Sequence, residues 1–287
     1  MLRTNALLFF FFIFVQPAFA QSTIPNDSRL KAVTDRKVVR IAYRRDATPF
    51  SFEREKDKPV GYTIDLCSLV VDAIGRQLGQ NLNIRWVPVT VQTRLSAIAN
   101  NQADMECGST TVTLGRLDEV DFSSFVFLES TAILVRRQSD IRSFSDMNGK
   151  KIAVVAGTTN ERAVADQIRR RKLDAASLVV VENREQGMAA LESGAVDGYA
   201  SDKLLLVGAE KQRPAALALL ADELSVEPYA IALPRGDWAF RLAVNRALAQ
   251  IYRSGAQYDV FARWFGQIGL RPSEALGTAW SLGILAE

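Results

Sequence analysis

Between Met105 and Arg116 the chain reads MECGSTTVTLGR. Ser109, Thr110 and Thr111 supply three hydroxyls and a run of backbone N–H groups. Arg116 adds a planar fork of donors. Hydroxyls and amides orient a small carboxylate, and a guanidinium binds it through two parallel bonds. Gly108 gives the turn before them either a positive φ or room for another group to come close. The plainer alternative is a strand running into a polar loop, with Arg116 on the surface. Three more stretches carry similar groups: Arg44 to Ser51, Gly157 to Asn160, and Ser201-Asp202. Gly157-Thr158-Thr159 offers amides and hydroxyls to a carboxylate, and Asp202 offers a carboxylate to an ammonium. A zwitterion needs both. Taken singly, Thr158 and Asp202 also read as helix N-caps.

These groups need elements to present them. Val38 to Tyr43 reads as a buried strand, and Arg44 to Phe52 as a loop broken by Pro49. Gly61-Tyr62 opens a helix with Leu66, Leu69, Val70, Ala73 and Ile74 at helical spacing. Leu82 to Val89 is a strand, Thr93 starts a short helix, and Ala103 to Cys107 is a third strand. Beyond a strand at Thr131 to Val135, a second unit follows. It runs strand Lys151–Ala156, a helix to about Arg171, strand Leu178–Val181, helix Glu185–Ser193, strand Val196–Ala200, and a helix opened by Asp202. Ser225 to Leu233 is extended, Trp238 to Arg253 is an amphipathic helix, and Tyr258 to Phe265 is a short aromatic one. The tail after Gly266 shows little pattern. Strands alternating with helices predict an α/β fold with mainly parallel sheets, in which ligands gather at strand carboxyl ends and helix N-termini.

Composition narrows the chemistry. The 287 residues contain no His and two Cys, which excludes a Cys/His zinc site and any Ser-His-Asp or Cys-His group. No cofactor or metal is called for. A net charge of +3 with scattered Lys and Arg points away from nucleic acid. At the N-terminus, Arg3, the apolar run Leu7–Val15 and Ala18-Phe19-Ala20 make a cleavable signal peptide over residues 1–20. The run is shorter than the ~20 residues a membrane span needs. Export permits a Cys67–Cys107 bridge. A helix position paired with a strand end makes its geometry uncertain, and the reading favours two buried free thiols.

In this order the stretches resemble the periplasmic amino-acid-binding proteins that feed ABC transporters, most of all the glutamate/aspartate binders among them. The matching segments are Pro49-Phe50-Ser51, Gly61-Tyr62 with Asp65, Gln92 with Arg94, Glu106 to Thr111 with Arg116, Phe122-Ser123, Gly149-Lys150, Gly157 to Thr159, Leu191 to Gly194, Asp202 and Trp264-Phe265. The resemblance implies a two-lobed fold with the ligand between lobes. Lobe 1 would take residues 21–130 and 227–287, lobe 2 residues 131–226, with crossings near Glu129 to Thr131 and Val226 to Tyr229. It implies that Arg116, Ser109, Thr111 and Thr158 bind an α-carboxylate, Asp202 an α-ammonium, and Arg44 and Arg94 a side-chain carboxylate. It further implies a monomeric periplasmic protein that catalyses nothing, takes an amino acid and delivers it to a membrane-embedded ABC permease. Three positions depart from the pattern: Thr63 replaces an acid, Val91 a hydroxyl, and Arg184 stands near an expected His, where it is either a further cation for the ligand or solvated. Tyr43 and Phe50 are candidates for a ring clamp on the ligand, or simply core. The rival readings are an exported enzyme on the same fold, such as a cyclohexadienyl dehydratase with a carboxyl general acid, and a receptor sensor module.

Overall fold

A computed structural model describes residues 24–285; the expected signal peptide lies outside the described residues. In chain order the elements are α1 (Arg29–Arg36), β1 (Val38–Arg44), β2 (Asp46–Ala47), β3 (Ser51–Glu55), β4 (Lys58–Val60), α2 (Tyr62–Leu78), β5 (Asn83–Val89), α3 (Arg94–Ala99), β6 (Met105–Glu106), α4 (Leu114–Leu117), β7 (Val120–Glu129) and β8 (Thr131–Arg136). Then come β9 (Lys151–Val155), α5 (Thr159–Arg171), β10 (Ser177–Val181), α6 (Arg184–Ser193), β11 (Gly198–Asp202), α7 (Lys203–Gln212), β12 (Leu217–Leu219), β13 (Glu227–Pro234), α8 (Trp238–Ser254), α9 (Ala256–Phe265) and α10 (Glu274–Leu282).

Two five-stranded sheets organise two lobes. Lobe 1 has the order β5-β1-β6-β13-β7 and lobe 2 the order β10-β9-β11-β8-β12. The expected parallel pairing holds for β5, β1 and β6, and for β10, β9 and β11. The strands beside the crossings pair antiparallel, so both sheets are mixed. The chain leaves the first sheet at Glu129, enters the second at Thr131 and rejoins the first at Glu227. Glu227 pairs opposite Glu129 in that ribbon.

Each lobe has its own apolar core because its helices bury one stripe against a sheet. In lobe 1 the α2 residues Leu66, Val70 and Ile74 and the α8 residues Val244 and Leu248 are fully buried. In lobe 2, Ile133, Ile152, Val154 and Val164 fill one side of the sheet, and Ala153, Tyr199, Leu191 and Leu206 the other. The helix ends follow local chemistry. Asp237 accepts from the Phe240 amide at the start of α8, and Gly255 closes it in the left-handed region.

Several expectations change. Cys67 and Cys107 are joined in a disulfide with their Cα atoms 6.4 Å apart. That separation is within the bridging range because Cys67 faces the sheet from α2 beside the end of β6. The supposed loop from Arg44 to Phe52 contains β2 and the start of β3, which form a small sheet with β4. The third strand shrinks to Met105–Glu106. The long β7 was not foreseen, and neither was α10, which two buried residues, Leu276 and Trp280, dock onto lobe 1. Tyr43 and Phe50 are no clamp. Both are buried in lobe 1, Phe50 among Tyr62, Phe127, Tyr229 and Phe265.

Candidate functional site

The two lobes enclose a cavity lined from lobe 1 by Arg44, Asp46, Ala47, Val91, Arg94, Ser109 and Thr111, and from lobe 2 by Val155, Thr158, Thr159, Asn160, Arg184, Tyr199, Ser201, Asp202 and Leu205. They meet directly where the Thr111 and Thr159 hydroxyls lie 3.3 Å apart and where Gln92 Nε2 donates to Glu182 O at 3.1 Å.

The lobe 1 wall is the end of β1 and the loop after β6. Ser51 Oγ accepts from the Arg44 amide at 2.9 Å and donates to the Arg44 carbonyl at 3.1 Å, which fixes Arg44 at the strand end. That turn is held in place by α2. Tyr62 N and Thr63 N donate to the Pro49 and Phe50 carbonyls, and a Cβ at Gly61 would lie 2.2 Å from Phe50 O, so Gly61 is obligatory there. Gly108 is needed for close approach rather than a positive φ: a Cβ would meet Glu106 Oε1 at 2.2 Å. Arg94, fully buried, donates to Ser109 O at 3.1 Å. Arg116 donates to Thr111 O at 2.7 Å. Two arginines thus hold the loop by its carbonyls.

The lobe 2 wall consists of helix starts. Thr158 is the N-cap of α5: it accepts from Glu161 N at 3.2 Å and donates to Val155 O at 2.7 Å. This leaves the first amides of α5 at the cavity. Asp202 occupies the N-cap position of α7 but makes no cap bond. Asn160 Nδ2 instead donates to Asp202 Oδ1 at 2.8 Å and to Thr131 Oγ1 at 2.9 Å. Asp202 is therefore anchored to the crossing and aimed at the cavity. Arg184 opens α6 and donates to Leu205 O, while its Nη1 is buried without a hydrogen-bond partner.

Electrostatics sort the cations. Arg44 is paired with Asp46 at 2.6 Å. Arg94, Arg116 and Arg184 have no carboxylate within 4.0 Å among the described residues. Burial, reinforced by Arg116, pushes Arg94 down to about 10, so it stays charged near neutral pH. Burial also lowers Arg116, against the pull of Glu106 and Glu227, and lowers Arg184. Burial raises the Asp202 carboxyl, opposed by the Asn160 bond and by Arg94. Arg94 is buried and Arg116 and Arg184 are partly buried; cations this shielded and lacking an ion-pair partner are costly unless an anion meets them.

Of the seven residues expected from sequence, Arg44, Arg94, Ser109, Thr111, Thr158 and Asp202 line the cavity. Arg116 does not. It lines an adjoining groove with Thr113, Gly157, Thr158 and Thr159. Val91 and Arg184, noted as departures, both line the cavity. Thr63 is buried in α2 with an unpartnered hydroxyl and is not among the lining residues. Asp46, Asn160 and Ser201 lie in stretches singled out from sequence but were not named as binding residues, and Tyr199 was missed. Asn160 carried a local signal as the residue after Thr158-Thr159, but only tertiary folding brings it to Asp202.

This pattern of two lobes, a double crossing and a polar cleft matches a known family. The match to bacterial extracellular solute-binding proteins, family 3, spans residues 39–267. The chain belongs to that family. As a family 3 protein it is 32% identical over 242 residues to the L-glutamate/L-aspartate-binding protein of Pseudomonas aeruginosa, covering 83% of this chain and 80% of the relative. Among solved structures, an ancestral arginine-binding protein bound to glutamine superposes with a TM-score of 0.70 at 28% identity, over 80% of this chain and 98% of that one. An ancestral amino-acid-binding protein described as a precursor of cyclohexadienyl dehydratase gives 0.71 at 27% identity, over 83% and 100%. Among the described residues of this family 3 protein no helix is long and apolar enough to cross a membrane, and no group of three or more acidic or sulfur ligands could hold a metal ion.

Proposed function

We propose that this family 3 protein captures an acidic amino acid, glutamate or aspartate, in the periplasm as a monomer and delivers it to a membrane-embedded ABC permease. One observation carries the reading. Arg94 and Arg184 line the cavity and Arg116 the adjoining groove, all three without an ion-pair partner, while Asp202 is held ready by Asn160. A ligand with two carboxylates and one ammonium complements that set, and a neutral amino acid leaves a buried cation unmatched. The relative that binds glutamate and aspartate in Pseudomonas aeruginosa supports the same ligand class.

In this reading Ser109 and Thr111, the α5 amides beyond Thr158, and Arg116 take the α-carboxylate. Thr158 and Thr159 line both the cavity and the Arg116 groove, so the groove that holds Arg116 adjoins the place assigned to the α-carboxylate. Asp202 takes the ammonium, and Arg94 with Arg184 takes the side-chain carboxylate. The residues 24–130 and 227–285 act as one body, residues 131–226 as the other, and binding closes the hinge at the two crossings. Calorimetry against the twenty amino acids tests the reading. The acidic pair should bind most tightly, and a preference for a neutral or basic amino acid would overturn it.

A second reading draws on one feature: burial raises the Asp202 carboxyl, as a general acid requires. It makes the protein a dehydratase acting on a dicarboxylate that lacks an ammonium. Prephenate turnover would establish it, and its absence beside tight glutamate binding would dismiss it.

A further inference from the structure

The Cys67–Cys107 disulfide ends one residue before the loop that faces the cavity. That loop is held differently at its two ends. Its exit is bonded to β13: Ala230 N donates to Thr110 O at 3.1 Å, Val112 N donates to Pro228 O at 2.8 Å, and Thr111 bridges to Tyr229. Because β13 is the strand that returns from lobe 2, this end is coupled to the crossing. Its entry follows a strand of only two residues, Met105–Glu106, and the ladder continues one step further as Cys107 N donates to Ala42 O at 2.9 Å. Two residues are a weak footing for a binding loop in the middle of a sheet. The covalent bond reaches from there to Cys67, fully buried in the 17-residue helix α2.

We infer that the Cys67–Cys107 bridge is a positioning device for ligand binding: it locks the loop entry to α2, so that Ser109 and Thr111 keep their places while β13 adjusts to lobe movement. In the chain-entropy account a bridge closing 40 residues stabilises the fold by the same amount wherever it lies. Its position here adds something that account does not contain, which is preorganisation of the loop. Rigid presentation of binding groups removes an ordering cost that the ligand would otherwise have to overcome. Both sulfurs are shielded from solvent, so the bridge persists as a tether while the protein stays folded.

The inference uses the amino-acid-binding reading only for one of its readouts. The double variant Cys67→Ala/Cys107→Ala and the core variant Leu248→Ala, which lowers stability on α8 away from the loop, are compared by calorimetry with glutamate well below their melting temperatures. The account expects roughly tenfold weaker binding in the double variant and unchanged binding in Leu248→Ala. Refolding reduced native protein and reoxidising it should restore the original affinity. Equal affinities in the double variant and the native protein would overturn the inference. A second measurement needs no variant and no ligand. Backbone order parameters of the oxidised protein at residues 107–109 should match those of α2, near 0.85, whereas values below about 0.6 would overturn the tether. If no amino acid binds the native protein, the functional reading fails and the order parameters still decide the tether.

Discussion

The two walls of the cleft are built on different principles. Lobe 1 presents a loop locked from behind. Arg94 and Arg116 grip its carbonyls, Glu106 packs under Gly108, a disulfide ties its entry to α2, and Asp46 occupies Arg44. Lobe 2 presents helix starts with polar groups turned to the cleft: the first α5 amides, Asp202 without a cap bond but held by Asn160, and Arg184 with a buried, unpartnered nitrogen such as Arg94 also has in lobe 1. In the proposed function, the lobe 1 wall is set before the ligand arrives and the lobe 2 wall completes the site on closure. Charge already satisfied within lobe 1, as in the Arg44–Asp46 pair, contributes little further to a ligand, and charge left open at the cleft contributes much.

The largest expected effect tests the locked wall. Arg116→Ala should weaken every amino acid by thirty-fold to several-thousand-fold, the range of about 2–5 kcal/mol for removing one partner of a buried charge pair. Calorimetry with glutamate, glutamine and alanine checks this. Unchanged binding would confine Arg116 to holding Thr111 O and make the wall purely a scaffold.

Asp202 tests the open wall through pH. Burial raises its carboxyl above the usual aspartate range, and an ammonium is held only by the ionised form. Affinity should therefore fall as pH drops, beginning above the pH at which an ordinary aspartate protonates. Asp202→Asn should bind weakly at all these pH values and lose that slope. A native affinity flat from pH 7 to 4 would contradict the assignment.

Six of the seven expected side chains line the cavity; Ser109 and Thr111 were legible because spacing along the chain already places them on one loop. The lobe 2 set was harder. Thr158 is an N-cap and also lines the cavity. Asp202 looked like an N-cap, and only Asn160, 42 positions away, explains why it is not bonded as one. Arg44 was expected as a ligand cation from the family resemblance, and sequence does not show that Asp46 folds back onto it through the β2 turn. The disulfide was underrated for a similar reason: helix and strand positions do not reveal a 6.4 Å separation. The tail helix was invisible because two apolar residues, Leu276 and Trp280, make too short a periodic signal.

Smaller effects sharpen the contrast between paired and open arginines. Arg184→Ala should reduce glutamate affinity by about tenfold or more while changing glutamine less, since an amide offers no full charge to the guanidinium. Arg44→Ala should cost less than Arg184→Ala, because Asp46 already neutralises it. The reverse order would put Arg44 rather than Arg184 beside Arg94 in the side-chain pocket.

The smallest effect concerns the crossing. Glu129 accepts from Leu204 N at 2.5 Å across the lobes, and burial raises its carboxyl well above the ordinary value. A carboxyl raised in the folded state favours folding most at low pH and loses that contribution as pH rises through its folded value. Glu129→Gln should thus raise the melting temperature at pH 8 by a few degrees, the shift expected for about 1 kcal/mol, with no gain at pH 4. Equal shifts at both pH values would show that Glu129 is not carrying a burial penalty.

The central claim is that open cations select an acidic ligand. Its most direct test is the ratio of glutamine to glutamate dissociation constants, measured by calorimetry at pH 7 on the native protein and on Arg94→Ala/Arg184→Ala. The account expects glutamate to bind at least tenfold more tightly in the native protein, and the ratio to approach one in the double variant. A native ratio of one or less, or a preference for glutamate that survives loss of both arginines, would contradict it.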